Sequence, residues 1–228
     1  MESEERYFQQ RTDMVHKQIE LRGIHNPRLL EALRRVPRHR FVPERYRAKA
    51  YQDGPLPIGL GQTISQPYIV AIMTDLLGLA GGENVLEIGT GSGYQAAILG
   101  EMARVVHTIE RHPALAQPAQ AILHELNYTN VFVHAGDGSL GWLPGAPYQA
   151  ILVTAAAPRI PQPLVDQLAE GGALVIPVGD RSGQELERWR KSAGRISCER
   201  FFPVAFVPLR GQHGWHDSDW DESDVFEA

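Results

Sequence analysis

The chain has 228 residues, the length of one α/β domain with small additions. Its hydrophobic (43%) and charged (21%) fractions are near the globular average and argue against wholesale disorder. The single cysteine, Cys198, excludes an intramolecular disulfide framework and a zinc site with several Cys ligands, and the net charge of -5 argues against a general nucleic-acid binder.

Much of that charge is local. Asp217, Asp219, Asp221, Glu222, Asp224 and Glu227 follow Gly214 with no Lys or Arg among them. Subtracting these six from the 27 acids leaves 21, against 22 basic residues, so the body is close to neutral. Residues 217–228 are expected to be an acidic, flexible tail. The polar N-terminus, MESEERYFQQ, has no apolar stretch behind it and does not read as a signal peptide. A soluble cytoplasmic monomer is expected, with no membrane and no nucleic-acid partner.

In chain order, Glu4 to Arg22 reads as a helix with Tyr7, Met14, Val15 and Ile19 as buried positions. Asn26-Pro27 opens a second helix that stops before Pro37, because Asn caps and Pro suits the first helical position. Gly54 to Thr74 carries no charge, but its Pro, Gly and Gln residues would be costly in lipid and break a helix. Within it, Ser65 or Gln66 can cap a helix that Pro67 opens and that runs from Tyr68 to Leu77. Alternatively, Thr63, Ser65 and nearby backbone N–H groups can hold an anion.

From Asn84 onward, short apolar runs alternate with helical stretches. Strands are expected at Val85–Gly89, Val105–Glu110, Val131–His134 and Ala150–Thr154, with helices at Tyr94–Met102 and Pro113–Leu126. A helix from Pro161 to Ala169, a Gly171-Gly172 turn and a strand Ala173–Pro177 follow. This alternation implies a parallel sheet covered on both faces. Leu186–Lys191 and Ile196–Phe202 flank Ser192-Ala-Gly194 and read as an antiparallel hairpin.

The sharpest local signal is Glu87-Ile-Gly89-Thr-Gly91-Ser-Gly93-Tyr94, where a strand should end and a helix begin. A dinucleotide fingerprint needs its third glycine three residues after the second; that place, position 94, is Tyr. A phosphate loop needs Gly-Lys-Ser/Thr, and no Lys occurs between Lys49 and Lys191. The loop therefore suits an adenosine ligand without a phosphate cradle, or serves only as a strand–helix turn. Glu110 ends the next strand about 20 residues on, where a carboxylate can accept both ribose hydroxyls. Asp137, in Gly136-Asp137-Gly138, follows the third strand and can accept from an adenine amino group. Each acid alone is also compatible with a helix cap or a solvated group.

Gly61-Gln-Thr-Ile-Ser-Gln-Pro67, Leu86-Glu-Ile-Gly-Thr-Gly-Ser-Gly-Tyr94, Val153-Thr-Ala-Ala-Ala-Pro158 and Leu174-Val-Ile-Pro-Val-Gly179 together resemble the protein-L-isoaspartate O-methyltransferase family. So do Val36-Pro-Arg-His-Arg-Phe-Val-Pro43 and Phe206-Val-Pro-Leu209. The resemblance implies a class I S-adenosylmethionine-dependent methyltransferase: α/β, a Rossmann-like doubly wound, mostly parallel sheet with N-terminal helices and a C-terminal antiparallel hairpin. It implies one methyltransferase domain over residues 1–216. Residues 1–80 would be helical and carry the substrate segment, 81–180 would bind the cofactor, and 181–216 would add the C-terminal strands.

The implied cofactor is S-adenosyl-L-methionine, held by Glu87, Gly89, Gly91, Ser92, Gly93, Glu110, Asp137 and Gly138, with Glu110 on the ribose and Asp137-Gly138 on the adenine side. Ser65 inherits the active-site role, and Thr63, Ser65 and Gln66 the substrate. No metal is implied. The implied reaction methylates the α-carboxylate of L-isoaspartyl residues in damaged proteins and peptides, opening a repair cycle through a succinimide. Gln149 departs from the family's common Asp just before the fourth strand. A methyltransferase for another substrate, or a non-enzymatic module of the same fold, remain the rival readings.

Overall fold

In the computed structural model, residues 2–216, 218 and 219 are described. The N-terminal layer contains α1 (Glu2–Met14) and α2 (Pro27–Arg35). The Asn26 side chain accepts from the N–H groups of Arg28 and Leu29, as its position before Pro27 predicts. The expected single helix over 4–22 is not continuous. A π turn (Val15–Ile19) and a 3₁₀ turn (Glu20–Arg22) follow α1, and Gly23 ends them in the left-handed region. Met14, Val15 and Ile19 are nevertheless buried in the core, as expected.

Leu56–Gly59 (β1) and Gln62–Ile64 (β2) pair as an antiparallel hairpin that the sequence reading did not anticipate. Its two-residue turn, Leu60-Gly61, has positive φ at both positions; Gly61 suits that conformation, but Leu60 is a poor residue for it, and strands of four and three residues are too short for alternation to show. Helix α3 (Pro67–Leu77) follows.

The main sheet has seven strands in the order β5-β4-β3-β6-β7-β8-β9. These are β3 (Asn84–Ile88), β4 (Val105–Glu110), β5 (Val131–Ala135), β6 (Tyr148–Val153), β7 (Leu168–Asp180), β8 (Gly183–Ser192) and β9 (Arg195–Val204). Strands β3 to β7 are parallel; β8 and β9 add the antiparallel hairpin. Helices α4 (Tyr94–Met102) and α5 (Pro113–Glu125) lie between β3, β4 and β5 in sequence, and α6 (Gln162–Gln167) precedes β7. Alternate side chains sort into two cores. Val85, Val106, Leu152 and Val175 join the layer of α1 to α5, while Leu86, Ile88, Ile151 and Leu174 pack with Leu164 of α6.

Helix α6 is shorter than the expected Pro161–Ala169, and β7 starts at Leu168 instead of after a Gly171-Gly172 turn. Pairing wins over the glycine signal here. Leu168 pairs with Tyr148, and Gly171 at positive φ is absorbed as an irregularity inside the strand. The second face is thinly covered near β5, because only two 3₁₀ turns, Gly138–Leu140 and Leu143–Gly145, connect β5 to β6. Phe132 is 46% exposed there. Gln149 serves the sheet itself, since its Oε1 accepts the Asn84 N–H at 2.8 Å and ties the start of β3 to β6. No helix among the described residues is long and apolar enough to cross a membrane.

The acidic tail expected over 217–228 lies outside the described residues, except Ser218 and Asp219. Just before it, the Trp215 N–H donates to the Leu209 carbonyl at 2.8 Å, and the Arg210 guanidinium donates to the His216 carbonyl. A chain ending at Asp219 keeps both contacts and should hold the parent melting temperature within about 2 °C. A chain ending at Gly214 loses both contacts and should melt lower in the same thermal scan.

Candidate active site

Strand order reverses between β3 and β6: the chain runs from β3 outward to β5, then returns to β6 and proceeds the other way. Open α/β sheets bind ligands in the crevice beyond the strand ends at such a point. A crevice of about 900 Å³, counted to its open mouth, occupies this place. Thr63 and Ser65 line one side, Gly89, Gly91, Ser92 and Glu110 another, and Gly138, Thr154 and Arg210 complete the wall.

The loop after β3 is built for close approach. Gly89 has φ +96°, and a Cβ there would sit 2.3 Å from Thr154 Oγ1. The Thr154 hydroxyl donates to the Gly89 carbonyl at 2.8 Å and to that of Ile88 at 3.0 Å. Gly93 is the N-cap of α4 and stands behind the loop against Ala119, outside the crevice lining. At Gly138, whose φ is ordinary, a Cβ would lie 2.4 Å from Ile88 Cγ2, so the reason for glycine is space alone.

Glu110 is 5% exposed at the end of β4. Its Oε2 accepts the Gly91 N–H and its Oε1 accepts the His112 N–H, both at 2.9 Å. An ionised carboxylate has about four lone-pair sites, so each oxygen retains one for a ligand diol. The glycine loop is thus fixed to the same side chain that the sequence reading assigns to the ribose.

Glu87 is not on the crevice wall. Parallel register sets it beside Thr108, whose hydroxyl donates to Glu87 Oε2 at 2.5 Å, and Thr108 Oγ1 lies 2.6 Å from Thr90 Oγ1. Glu87 Oε1 is buried without a hydrogen-bond partner. Burial pushes the carboxyl up to about 8, opposed by the Thr108 hydrogen bond and assisted by the charge of Glu110. The folded chain therefore holds a proton here that an unfolded chain releases near its ordinary pKa of about 4.5. Stability from this group is lost as pH rises from that value to about 8. Glu87→Gln, which stays neutral, should be more stable than the parent at pH 9 by on the order of a few kcal/mol, and similar to it at pH 4. Chemical denaturation at the two pH values checks this; an equal difference at both would mean that folding does not raise the Glu87 pKa.

Asp137, assigned to the adenine side, also has partners within the chain. Oδ1 accepts from the Ser139 N–H at 2.9 Å and hydroxyl at 2.7 Å, and Oδ2 accepts from the Gln212 N–H at 2.8 Å. Its carboxylate ties the loop after β5 to the C-terminal segment, and its neighbour Gly138 lines the crevice instead.

On the opposite wall, Ser65 is half-buried, and its hydroxyl makes no hydrogen bond among the described residues. The N-cap of α3 is Gln66, with no side-chain cap bond, so neither residue performs the capping role that the sequence allowed. Gln66 turns away from the crevice and donates to Asp53 Oδ1 at 2.8 Å. Thr63 pairs with Pro57 in the hairpin and faces the crevice beside Ser65. Thr154 and Arg210 were not singled out as site residues. Thr154 follows β6, so the strand-end argument applied to Glu110 also reaches it; Arg210 follows no strand and gave no local signal.

Comparison with known proteins decides the assignment. The model of the family "Protein-L-isoaspartate(D-aspartate) O-methyltransferase (PCMT)" matches residues 9–214. The chain belongs to this family. It is 58% identical over 206 residues to the protein-L-isoaspartate O-methyltransferase of Trichlorobacter lovleyi, covering 90% of this chain and 95% of that one. It is 56% identical over 209 residues to protein-L-isoaspartate O-methyltransferase 1 of Syntrophobacter fumaroxidans, covering 91% and 98%. A Plasmodium falciparum crystal structure assigned to the same family, in complex with S-adenosyl-L-homocysteine, superposes with a TM-score of 0.77 at 26% identity, covering 88% of this chain and 98% of that one.

Proposed function

We propose that this crevice methylates the α-carboxylate of L-isoaspartyl residues in damaged proteins and peptides, using S-adenosyl-L-methionine. The observation that carries the reading is that Glu110, bonded to the glycine loop, and Ser65, whose hydroxyl has no partner among the described residues, line one crevice. The residues fit the cofactor. Glu110 keeps two acceptor sites for a diol, and Gly89, Gly91 and Gly138 line the crevice beside it. Ser92 and Thr154 stand beside them at the loop and the end of β6.

When bound, S-adenosylmethionine supplies an electrophilic methyl group on its sulfonium. The protein's part is binding and alignment. An acceptor carboxylate has an ordinary pKa of about 4, so it is already ionised at neutral pH and needs no general base. This accounts for the uncharged Gln62–Ser65 segment. Ser65 and Thr63 orient the acceptor oxygen, and their neutral hydroxyls leave it nucleophilic. Ile64, Ile69 and Val70 give that wall an apolar backing that limits water. The methyl ester product is open to attack by the following backbone nitrogen, which loses its proton and expels methanol to give the succinimide of a repair cycle.

Single-turnover transfer to a synthetic isoaspartyl peptide between pH 6 and 9 tests the mechanism. The rate should lack an essential group titrating near 7. A rate falling tenfold or more per pH unit below 7 would require a base and contradict it.

A further inference from the structure

Arg38 is fully buried and is the bulkiest side chain shielded to that degree among the described residues. It starts the 3₁₀ turn Arg38–Phe41 after Pro37 and has no carboxylate partner among the described residues. Its Nε donates to the Ala50 carbonyl and its Nη2 to the Ser65 carbonyl, both at 2.8 Å. Its Cζ lies 4.9 Å from the centroid of the Tyr94 ring. Nη1 is buried without an acceptor. Burial draws the guanidinium down to about 10, partly offset by Tyr94 and Tyr51, so it is charged at neutral pH.

A buried cation with two neutral acceptors and no counter-ion is a poor device for stability, because the lost hydration is only partly replaced. What it touches is more informative. Ser65 lies between two regular elements: the β1–β2 ladder stops at Ile64, and α3 starts at Pro67. Neither ladder nor helix fixes its carbonyl, whose partner is Arg38. Tyr94 is the first residue of α4, directly after the glycine loop, and lines the crevice. One guanidinium therefore contacts the backbone of the acceptor wall and the residue that closes the cofactor loop.

We propose that Arg38 is a positioning residue for methyl transfer: by bridging the Ser65 carbonyl and the Tyr94 ring, it sets the Ser65 hydroxyl at its working distance from the glycine loop. The inference rests on the functional reading above. It assigns a role to the Val36–Pro43 segment, which neither wall of the crevice contains.

The test is a double-mutant cycle on the full chain, with Arg38→Lys, Arg38→Met, Ser65→Ala and the Arg38→Lys/Ser65→Ala double variant. Each is measured for transfer to an isoaspartyl peptide, S-adenosylmethionine affinity by calorimetry, and melting temperature. The parent's own transfer to that peptide tests the functional reading separately. Arg38→Met should lose roughly tenfold to a hundredfold in kcat for the peptide, as small misplacements near reacting atoms do. Arg38→Lys, which retains a cationic donor, should recover part of that loss, and both should bind the cofactor within about twofold of the parent. Because Arg38 acts through Ser65, the double variant should be no more than about twofold slower than Ser65→Ala alone. If Arg38→Met does not fold, the Lys arm of the cycle carries the same test. Losses that multiply in the double variant overturn the proposal, as does an Arg38→Lys or folded Arg38→Met that turns over at the parent rate with only its melting temperature lowered.

Discussion

Glu110→Ala should bind S-adenosylmethionine roughly 10- to 150-fold more weakly than the parent, the consequence of losing one charge-assisted hydrogen bond. The geometry adds a second effect. The same carboxylate accepts the Gly91 N–H, so its removal also frees the glycine loop. Glu110→Gln keeps the Gly91 contact through its amide oxygen, while its NH₂ group loses the His112 N–H contact and can only donate toward a diol. Calorimetry should rank affinity as parent, then Gln, then Ala, with the far-ultraviolet circular dichroism spectrum unchanged in both variants. Parent-like affinity in Glu110→Ala would take this residue out of the cofactor site.

Ser65→Ala should slow methyl transfer by about 10- to 10³-fold, the range spanned up to loss of a preorganised donor at a developing charge. Cofactor affinity should be nearly unchanged, because Ser65 stands on the acceptor wall. The sequence alone allowed a competing outcome, in which Ser65 caps α3 and its loss costs about 1 kcal/mol of stability. The structure separates these readings: the N-cap is Gln66, no side chain caps the helix, and the Ser65 hydroxyl is free within the described residues. The melting temperature of Ser65→Ala should therefore stay within about 2 °C of the parent. Full activity combined with a lowered melting temperature would restore the capping role and remove the catalytic one.

Much of this site was legible because strand ends carry their own signals. Apolar runs buried on both faces fixed β3, β4 and β6 to within a few residues, and with them the places of the glycine loop and Glu110. Asp137 was legible in position, but its contacts within the chain were not. Its partners Ser139 and Gln212 come from a nearby turn and from a segment 75 residues away, which no spacing rule connects. The β1–β2 hairpin was missed because Leu60 occupies one of its two left-handed turn positions in place of the usual Gly or Asn. Arg38 lay inside a resembling motif but gave no hint of a contact with Ser65, 27 residues on, because its partner is a backbone carbonyl available at any position. Long-range bonds to main-chain atoms leave no mark in residue type.

Transfer of labelled methyl from S-adenosylmethionine to a synthetic isoaspartyl peptide, run beside the aspartyl peptide of the same sequence, tests the central claim most directly. The two acceptors have the same composition and charge and differ in backbone connectivity, so only a site that positions the α-carboxylate can separate them. The full chain should methylate the isoaspartyl peptide and leave its aspartyl twin at background. Equal labelling of both peptides, or labelling of neither by a chain that binds S-adenosylmethionine, would contradict the account.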